Sequence, residues 1–599
     1  MNTFSQQLKR TFVTLSALCL TLGIASANVP TSIEQTPLMS TSIKQLPSGE
    51  FLMSFKGTKE VKLFDKEFNS VIKNWSFEQT PTGVASSDSH YYVTTFTTKG
   101  ELHKIDPTSG EVVATIDLKS GAMAPTISAD QKFLYVSNQF QNTISKVDLN
   151  SFTVVDEVAV LREPKSSVIT KDGNFLYVNN FLPAQRADVD VVCSAVSIID
   201  LKTFKVVDNV RLANGSNALR GIALSPDGRF VMVSHNLGRF QVPTNQLQQG
   251  WMNTSAVSII EIESREFLGA ILVDEPELGA AGIDHIDSND SQIVIAHSGT
   301  HEISVIDYEP FLKKFEAAPD KSALNYDLKF LYGLRQRIKI EGNGPRQVVI
   351  DNERAYVPTY FSDTLSIVNL KTKKLERSVA MQPQRVESEV FRGEKYFNDA
   401  KYCFQSWQSC NGCHPGDGRT DGMNWDLMND GVGNAKNCKS MLYSHVTPPS
   451  MITGIRAMAE IAVRKGFFHI QFSEISEEYA CCVDEYLKSL RPVESPYKIN
   501  GEFSELAKRG KTVFQEQGCA ECHSGQYFTD MNMYVIGEDV EFEKGWDTPT
   551  LIEVWRTAPY LFDGRAATMR EVYEVHKHGI TRKISKKDLD ALTEYVNSL

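Results

Sequence analysis

The chain has 599 residues, of which 41% are hydrophobic and 23% are charged, so it can bury several cores and has the composition of an ordinary globular protein. Its formal net charge of −12 at pH 7 argues against nucleic acid and anionic lipid as partners and mildly favours a basic partner surface. After the N-terminal segment, no run approaches the roughly 18 unbroken apolar residues that a membrane span requires.

The first predicted element is a leader peptide. Lys9 and Arg10 precede an apolar run, and Ala25-Ser26-Ala27 supplies the small residues that a signal peptidase recognises. We therefore predict a signal peptide over residues 1–27 and a soluble, exported periplasmic product that begins at Asn28.

Residues 28–385 are predicted to form an all-β propeller. Short β-rich runs such as 134–138 and 176–180 recur at a period of about 42 residues, and each is followed by a second run with an Ile-Asp-Leu-like end. Four strands per unit at this period are typical of propeller blades. With a weaker copy over 51–75, the repeats predict seven blades, and these units resemble the Tyr-Val-Thr-Asn family of seven-bladed propellers.

Two blades are lengthened by insertions over 183–193 and 238–254, and repeat proteins concentrate their contacts in such loops. Polar and aromatic side chains in or near these blades are candidates for a functional face: His235, Arg239, Trp251, His285, His297 and His301. The alternative is that the histidines are hydrogen-bonded structural residues of blade turns. A metal site of His285, His297 and His301 is conceivable, but the strand-turn context of the last two disfavours it.

The C-terminal part carries the C-x-x-C-H signature twice, as Cys410-Asn411-Gly412-Cys413-His414 and Cys519-Ala520-Glu521-Cys522-His523. This spacing attaches haem c, because two thiols bond the porphyrin's vinyl groups and the adjacent histidine binds the iron. One copy could be half of a zinc site, but two equivalent copies favour haem. We predict two covalent haem c groups, held by Cys410, Cys413, Cys519 and Cys522, with His414 and His523 as iron ligands. Nothing in the sequence indicates calcium.

Both motifs lie in a duplicated region that follows a linker near residues 383–389. The matching segments are 392–397 with 509–514, Thr447-Pro448 with Thr548-Pro549, and 475–490 with 584–599. The pattern predicts a multidomain protein in which an all-α dihaem domain follows the propeller. We place the first cytochrome c unit at 386–500 and the second at 501–599.

The duplication also nominates ligands for the other side of each iron. His469 lies 55 residues after His414, and His578 lies 55 residues after His523 (469 − 414 and 578 − 523). Equivalent positions predict equivalent roles as iron ligands.

Residues 548–551 and 557–572 resemble the second-haem segment of the bacterial dihaem cytochrome c peroxidases and of the related enzyme that matures methylamine dehydrogenase. The family's distal ligand falls eight residues after the threonine that matches Thr568, so the resemblance implies His576 where the repeat implies His578. Of the two, we predict His576 as the ligand. In the first unit, residues 464–469 replace the family's Trp-Asp-Gly-Arg-like segment. The resemblance therefore does not imply an open, peroxide-binding iron in the first unit. His469 and His445 are candidates for the distal pocket of that unit, either as catalytic residues or as ligands that block the iron.

The resemblance implies an exported, peroxidase-like dihaem oxidoreductase whose propeller docks a substrate, a periplasmic electron donor or a protein partner. A non-enzymatic electron-transfer cytochrome that serves a dehydrogenase or reductase is the alternative, and a ligand-binding propeller with haems as sensors is a third. Trp425 and Trp555 are candidate relays between the haems or ordinary packing residues. The oligomeric state is left open.

Five cysteines are neither in the leader nor in the haem motifs, namely Cys193, Cys403, Cys438, Cys481 and Cys482. An oxidising compartment favours one or two disulfides, and a bridge between Cys403 and Cys438 would flank the first haem motif. A bridge between the adjacent Cys481 and Cys482 would be strained, so we expect one buried and one bridged thiol there.

Overall fold

The computed structural model describes residues 36–242, 250–351, 353–427, 435–536 and 543–599. The predicted leader, 1–27, lies outside the described residues, as does part of the second insertion. Residues 36–383 and 388–599 form one compact unit. Residues 384–387 are not part of this unit and have no regular secondary structure.

Seven antiparallel sheets follow one another along the first part of this unit, which confirms the seven-bladed propeller. Blades 1 to 3 contain β1 (Ser40–Gln45), β2 (Phe51–Phe55), β3 (Glu60–Phe64), β4 (Val71–Ser76), β5 (Pro81–Ser86), β6 (Tyr91–Phe96), β7 (Gly100–Ile105), β8 (Val112–Leu118), β9 (Ala122–Ile127), β10 (Phe133–Asn138), β11 (Thr143–Asp148) and β12 (Thr153–Ala159). Blades 4 and 5 contain β13 (Pro164–Ile169), β14 (Phe175–Asn180), β15 (Ala195–Asp200), β16 (Lys205–Arg211), β17 (Ser216–Asn217), β18 (Ile222–Leu224), β19 (Phe230–Gly238), β20 (Asn253–Glu261) and β21 (Phe267–Leu272). Blades 6 and 7 contain β22 (Ile283–Ser288), β23 (Gln292–His297), β24 (Glu302–Asp307), helix α1 (Tyr308–Glu316), β25 (Arg335–Lys339), β26 (Val349–Ile350), β27 (Arg354–Pro358), β28 (Thr364–Asn369) and β29 (Lys374–Ala380).

The ring closes where blade 1 meets blade 7. The rings of Phe51 and Tyr356 contact each other in a tilted arrangement, with centroids 4.5 Å apart, inside an apolar cluster that both blades share. The backbone N–H of Leu38 donates to Asp363, 3.0 Å away. Chain-distant strands are thus joined by the same apolar packing that joins neighbouring blades.

One polar position recurs in the blades and explains two of the predicted candidates. In these blades, a side chain at or near the end of the second strand forms a hydrogen bond with a serine side chain in the middle of the third strand. The pairs are Asn138 with Ser145, Asn180 with Ser197, His235 with Ser258, and His297 with Ser304. His235 and His297 therefore satisfy buried polar groups of the repeat, and burial lowers the pKa of His235 to about 4 and that of His297 to about 3.

The region after the propeller contains helices joined by irregular segments and two short sheets. Its helices are α2 (Glu389–Asn398), α3 (Pro415–Gly418), α4 (Ala459–Lys465), α5 (Glu477–Ser489), α6 (Glu505–Glu516), α7 (Met569–Glu574) and α8 (Lys586–Asn597). The sheets pair β30 (Asn424–Trp425) with β31 (Lys436–Asn437), and β32 (Met533–Tyr534) with β33 (Trp546–Asp547). The prediction of an all-α domain is not supported, because this region also contains sheets and only 19% of the structure as a whole is helical.

The duplication of this region is visible in its helix pairs. Helix α2 packs on α5, and α6 packs on α8. A serine caps the N-terminus of each of these four helices by accepting from a backbone N–H three residues later. A Cβ atom on Gly393 would lie 1.9 Å from the carbonyl oxygen of Cys482, and one on Gly510 would lie 1.9 Å from that of Ala591. The repeated Arg-Gly thus marks the point where two helix backbones touch.

The predicted disulfide between Cys403 and Cys438 is not formed, and none of the described cysteines is in a disulfide. Cys403 is buried in an apolar cluster beside Trp407. Cys438 instead lies against the first haem motif, with its Sγ 3.6 Å from His414 Nδ1. Cys482 is buried and Cys481 is exposed, so the expected bridge of one of them is also absent. Within the described ranges, no helix is long and apolar enough to cross a membrane.

Candidate functional site: the two C-x-x-C-H motifs

Each C-x-x-C-H motif begins with a short 3₁₀ turn, at Cys410–Gly412 and at Cys519–Glu521. In both, the histidine's Nδ1 lies 3.2 Å from a carbonyl oxygen five residues later, that of Arg419 for His414 and that of Phe528 for His523. A carbonyl can only accept, so Nδ1 carries the proton and Nε2 is left with a lone pair. Burial lowers the pKa of His414 to about 4, which keeps the ring neutral. This donor set fits an iron ligand held in one orientation.

The second motif faces another histidine. The rings of His523 and His578 have centroids 6.4 Å apart. A metal–imidazole bond is about 2 Å long, so two imidazoles on one iron place their centroids roughly 6 Å apart. Burial first, and then the charge of His523, lowers the pKa of His578 to about 4. His576 instead places its Nε2 3.2 Å from the carbonyl oxygen of Arg565.

The first motif has no such partner among the histidines nominated for it. His469 is exposed and lies beside Phe468, with ring centroids 4.9 Å apart. The buried His445 places its Nε2 3.0 Å from Asp484 Oδ1, and Arg464 forms an ion pair with the same carboxylate. The structure therefore brings neither histidine against His414.

In the structure, the two C-terminal units align differently from the match that the sequence suggested. The β-bridge of Ser450 with Arg456 in the first unit corresponds to that of Tyr560 with Ala566 in the second, and a helix begins three residues after each bridge. Thr447-Pro448 is thus equivalent to Thr557-Ala558, not to Thr548-Pro549 as the sequence suggested. The segment that matches Phe562-Asp563-Gly564-Arg565 is 452–455, which lies before α4, whereas 464–469 comes at its end. A repeated Thr-Pro misled the sequence comparison because it occurs in two different turns.

Both blade insertions contact the C-terminal region, and the second of them reaches the first motif. Asn253 donates its Nδ2 to Cys413 Sγ at 3.2 Å, and the rings of Trp251 and Phe472 have centroids 4.9 Å apart. In the other insertion, the N–H of Ala187 donates to the carbonyl of Gly564 at 2.9 Å. The predicted functional face is therefore the face on which the C-terminal region rests.

Of the remaining candidates, Arg239 and His301 have structural partners. Arg239 lies over the ring of Tyr326 at 4.7 Å, and burial lowers its pKa to about 10. His301 Nε2 lies 3.2 Å from Asp399 Oδ1. His285 is half-buried, and burial lowers its pKa to about 4. The three blade histidines do not combine: no group of three or more His, Cys, Asp or Glu side chains in the described part of the chain could hold a metal ion.

The two candidate relays have ordinary surroundings. Trp425 donates its Nε1 to Asp421 at 2.8 Å and packs in the apolar cluster between blade 5 and the first motif. Trp555 meets Phe140 edge to face at 5.7 Å. Neither of these contacts connects the first C-x-x-C-H motif to the second.

A buried chain of charges joins the two C-terminal units to the propeller, and no sequence pattern predicts it. Arg419 pairs with Glu553 at 2.7 Å, Glu553 with Arg556 at 3.3 Å, and Arg556 with Glu163 of the propeller at 3.2 Å. Arg162 donates to the carbonyls of Ala558 and Arg556, each at 2.6 Å. Since Arg419 also holds His414 through its carbonyl, the network fixes the first motif relative to the second unit and to blade 4.

Comparison with known proteins identifies relatives of parts of this chain. No family model matches the chain. The γ subunit of hydrazine synthase from Kuenenia stuttgartiensis is 26% identical over 279 residues, which cover 36% of this chain and 78% of that subunit. The β subunit of the same enzyme is 23% identical over 184 residues, which cover 29% of this chain and 46% of that subunit. A solved structure of Kuenenia stuttgartiensis hydrazine synthase covers 57% of this chain and 98% of its own, with a TM-score of 0.51 and 20% identity, and shows a likeness of fold.

These relatives correct the predicted family. The assignment to the dihaem cytochrome c peroxidases and the methylamine-dehydrogenase-maturation enzymes, with its peroxidase-like oxidoreductase function, is wrong, because the relatives are hydrazine synthase subunits. The electron-transfer alternative gains no support from them. The segment 557–572 forms a bridged turn and helix α7 beside the second motif. Such an element specifies a fold around a motif and leaves the chemistry open.

Proposed function

We propose that this chain is a subunit of a complex of the hydrazine synthase type and that it carries two covalent haem c groups. The observation that supports the first part is that one chain is similar to both the γ and the β subunit of a single enzyme. A polypeptide with both likenesses would supply two parts of such an assembly in a fixed arrangement. The buried charge network between the propeller and the C-terminal units supports that arrangement.

The second part rests on the two motifs. The haem groups would supply redox-active iron, which no side chain provides. Cys410, Cys413, Cys519 and Cys522 would attach them, and the carbonyls of Arg419 and Phe528 orient the His414 and His523 rings. For the second haem, the 6.4 Å ring separation favours His578 over His576 as the other axial ligand.

Isolation of the protein from its own host tests the assembly. We expect a native mass well above the 67.0 kDa of the chain, at least one further subunit in fixed stoichiometry, and hydrazine formation by the isolated complex. A monomeric protein without hydrazine-forming activity in any fraction that contains it would contradict the proposal.

The haem content is a separate expectation. A pyridine haemochrome assay should count two haems per polypeptide, and they should remain on the chain after denaturation because they are covalently bound. The double substitution Cys519→Ala and Cys522→Ala should halve the count. A wild-type count of one or none would contradict the haem assignment.

The axial ligand of the second haem can be identified with two matched variants. His578→Ala should remove one imidazole and convert the low-spin ferric signal of that haem to high-spin in electron paramagnetic resonance. His576→Ala should leave the signal low-spin, since its Nε2 is bonded to the Arg565 carbonyl. The reverse pattern would assign the ligand to His576.

A further inference from the structure

Cationic side chains from several blades converge on the segment that follows His414. We call this space the first-motif chamber and define it by Lys56, Lys165, Arg220, Arg346, Asp284 and Asp417. Lys56 lies 3.8 Å from Asp417, and their side chains stay 42% and 60% exposed. The carboxyl of Asp417 is nevertheless influenced by charges of both the propeller and the C-terminal region, chiefly by Lys56, which lowers its pKa.

Phe181 fixes two of the cations beside the haem motif. Lys165 Nζ lies 4.1 Å and the Arg220 guanidinium 5.7 Å from the centre of its ring. The same ring approaches Gly416, where a Cβ atom would lie 3.6 Å from it, two residues after His414. Arg220 also lines a small polar cavity together with Asn411 and Gly412 of the motif.

These two cations are short of counter-charge. Lys56 has Asp417, and Arg346 donates to Asn398 Oδ1 at 3.2 Å and stacks on Tyr360 at 3.9 Å. Among the described residues, Lys165 and Arg220 have no carboxylate within 4 Å, and Asp284 is the acid that influences both. Arg220 donates weakly to two carbonyls, those of Ala218 at 3.3 Å and Ile283 at 3.5 Å.

The electrostatics agree with this geometry. Burial, followed by the charge of Arg220, lowers the pKa of Lys165 to about 8. Burial also lowers the pKa of Arg220, which Asp284 raises. Asp284, Glu163 and Asp417 influence Lys165 from a distance, but no carboxylate in the described part of the chain contacts either cation directly. Both cations can therefore form charge-assisted hydrogen bonds to an oxyanion, which are among the strongest available.

We infer that Lys165 and Arg220 bind a carboxylate or a similar small oxyanion in the first-motif chamber. Two sources share this chemistry: a propionate of the haem attached to Cys410 and Cys413, which rests on the proposed haem content, or a free anion of the formate type. The propeller would then act on the first motif through charge as well as through packing.

The test uses the full-length holoprotein and the variants Lys165→Gln and Arg220→Gln, with Lys171→Gln as the matched control. Lys171 is an exposed lysine of the same blade, which donates to the carbonyl of Pro226. Calorimetric titration with sodium formate, at ionic strength held constant with chloride, measures binding of a free anion. Spectroelectrochemistry in the Cys519→Ala, Cys522→Ala background measures the reduction potential of the first haem alone.

If the anion is free, formate binds the wild type and the control, and Arg220→Gln weakens binding by about 10-fold or more, as expected for loss of one charge-assisted hydrogen bond. If the anion is a propionate, formate gives no heat, and both variants lower the potential of the first haem because a cation near it stabilises the added electron. Lys165→Arg should retain the wild-type behaviour in either case, which separates loss of charge from misfolding. Variants that match the control in both measurements would overturn the inference. A haem count of zero with intact formate binding would overturn the proposed haem content alone.

Discussion

Replacing Gly510 by alanine is expected to open the second C-terminal unit. The added Cβ would lie 1.9 Å from the carbonyl oxygen of Ala591, far inside van der Waals contact, so α6 and α8 must move apart. Overpacking of this kind costs about 1–3 kcal/mol and sometimes more, and contact with backbone places this case at the upper end. Hydrogen exchange should show the loss as reduced protection of α6 and α8.

The control for this substitution is Gly466→Ala, because nothing lies within 4 Å of a Cβ atom at Gly466. Its effect should be close to zero or slightly stabilising. Gly393→Ala should repeat the effect in α2 and α5, since its Cβ would lie 1.9 Å from the Cys482 carbonyl. Unchanged protection of α6 and α8 in Gly510→Ala would contradict the close helix contact.

Replacing Arg556 by methionine should be the most destabilising change at the junction of the propeller and the C-terminal units. It would leave Glu163 and Glu553 buried with fewer partners, and removal of one member of a buried ion pair costs about 3–5 kcal/mol. Thermal unfolding with separate probes for β-structure and haem would measure it. The matched control is Lys508→Met, whose exposed pair with Glu505 should contribute little.

The pH dependence of the stability of the Arg556→Met variant tests whether the unpaired charge of Glu163 causes the loss of stability. Burial alone would raise the pKa of Glu163, but Arg556 and Arg162 hold it below its ordinary value. In the wild type, the stabilisation by this carboxylate is therefore present above its unfolded pKa and is lost as the pH falls through the lower folded value. In the variant the pKa of Glu163 rises, so the stability deficit should be largest at neutral pH and shrink on acidification. A deficit that does not depend on pH would show that lost packing, and not the unpaired charge, dominates.

The histidines show where spacing along the chain predicts position in space and where it does not. The 55-residue spacing nominated His578, whose ring lies near that of His523, whereas the family register led us to predict His576, which lies beside the Arg565 carbonyl. The same spacing nominated His469, which is exposed at the end of α4. Equal spacing along the chain gives equal positions in space only where the segments between have equal structure.

The sequence by itself determined the propeller, because strands that alternate with turns at a fixed repeat are a local pattern. It also determined the duplication of the C-terminal region, with its repeated Arg-Gly and its two C-x-x-C-H motifs. The tertiary structure alone decided that both insertions contact the C-terminal region and that Glu163 meets Arg556 across 393 residues of chain. Such contacts depend on how finished blades and helices pack, and no local pattern records which buried charges will meet.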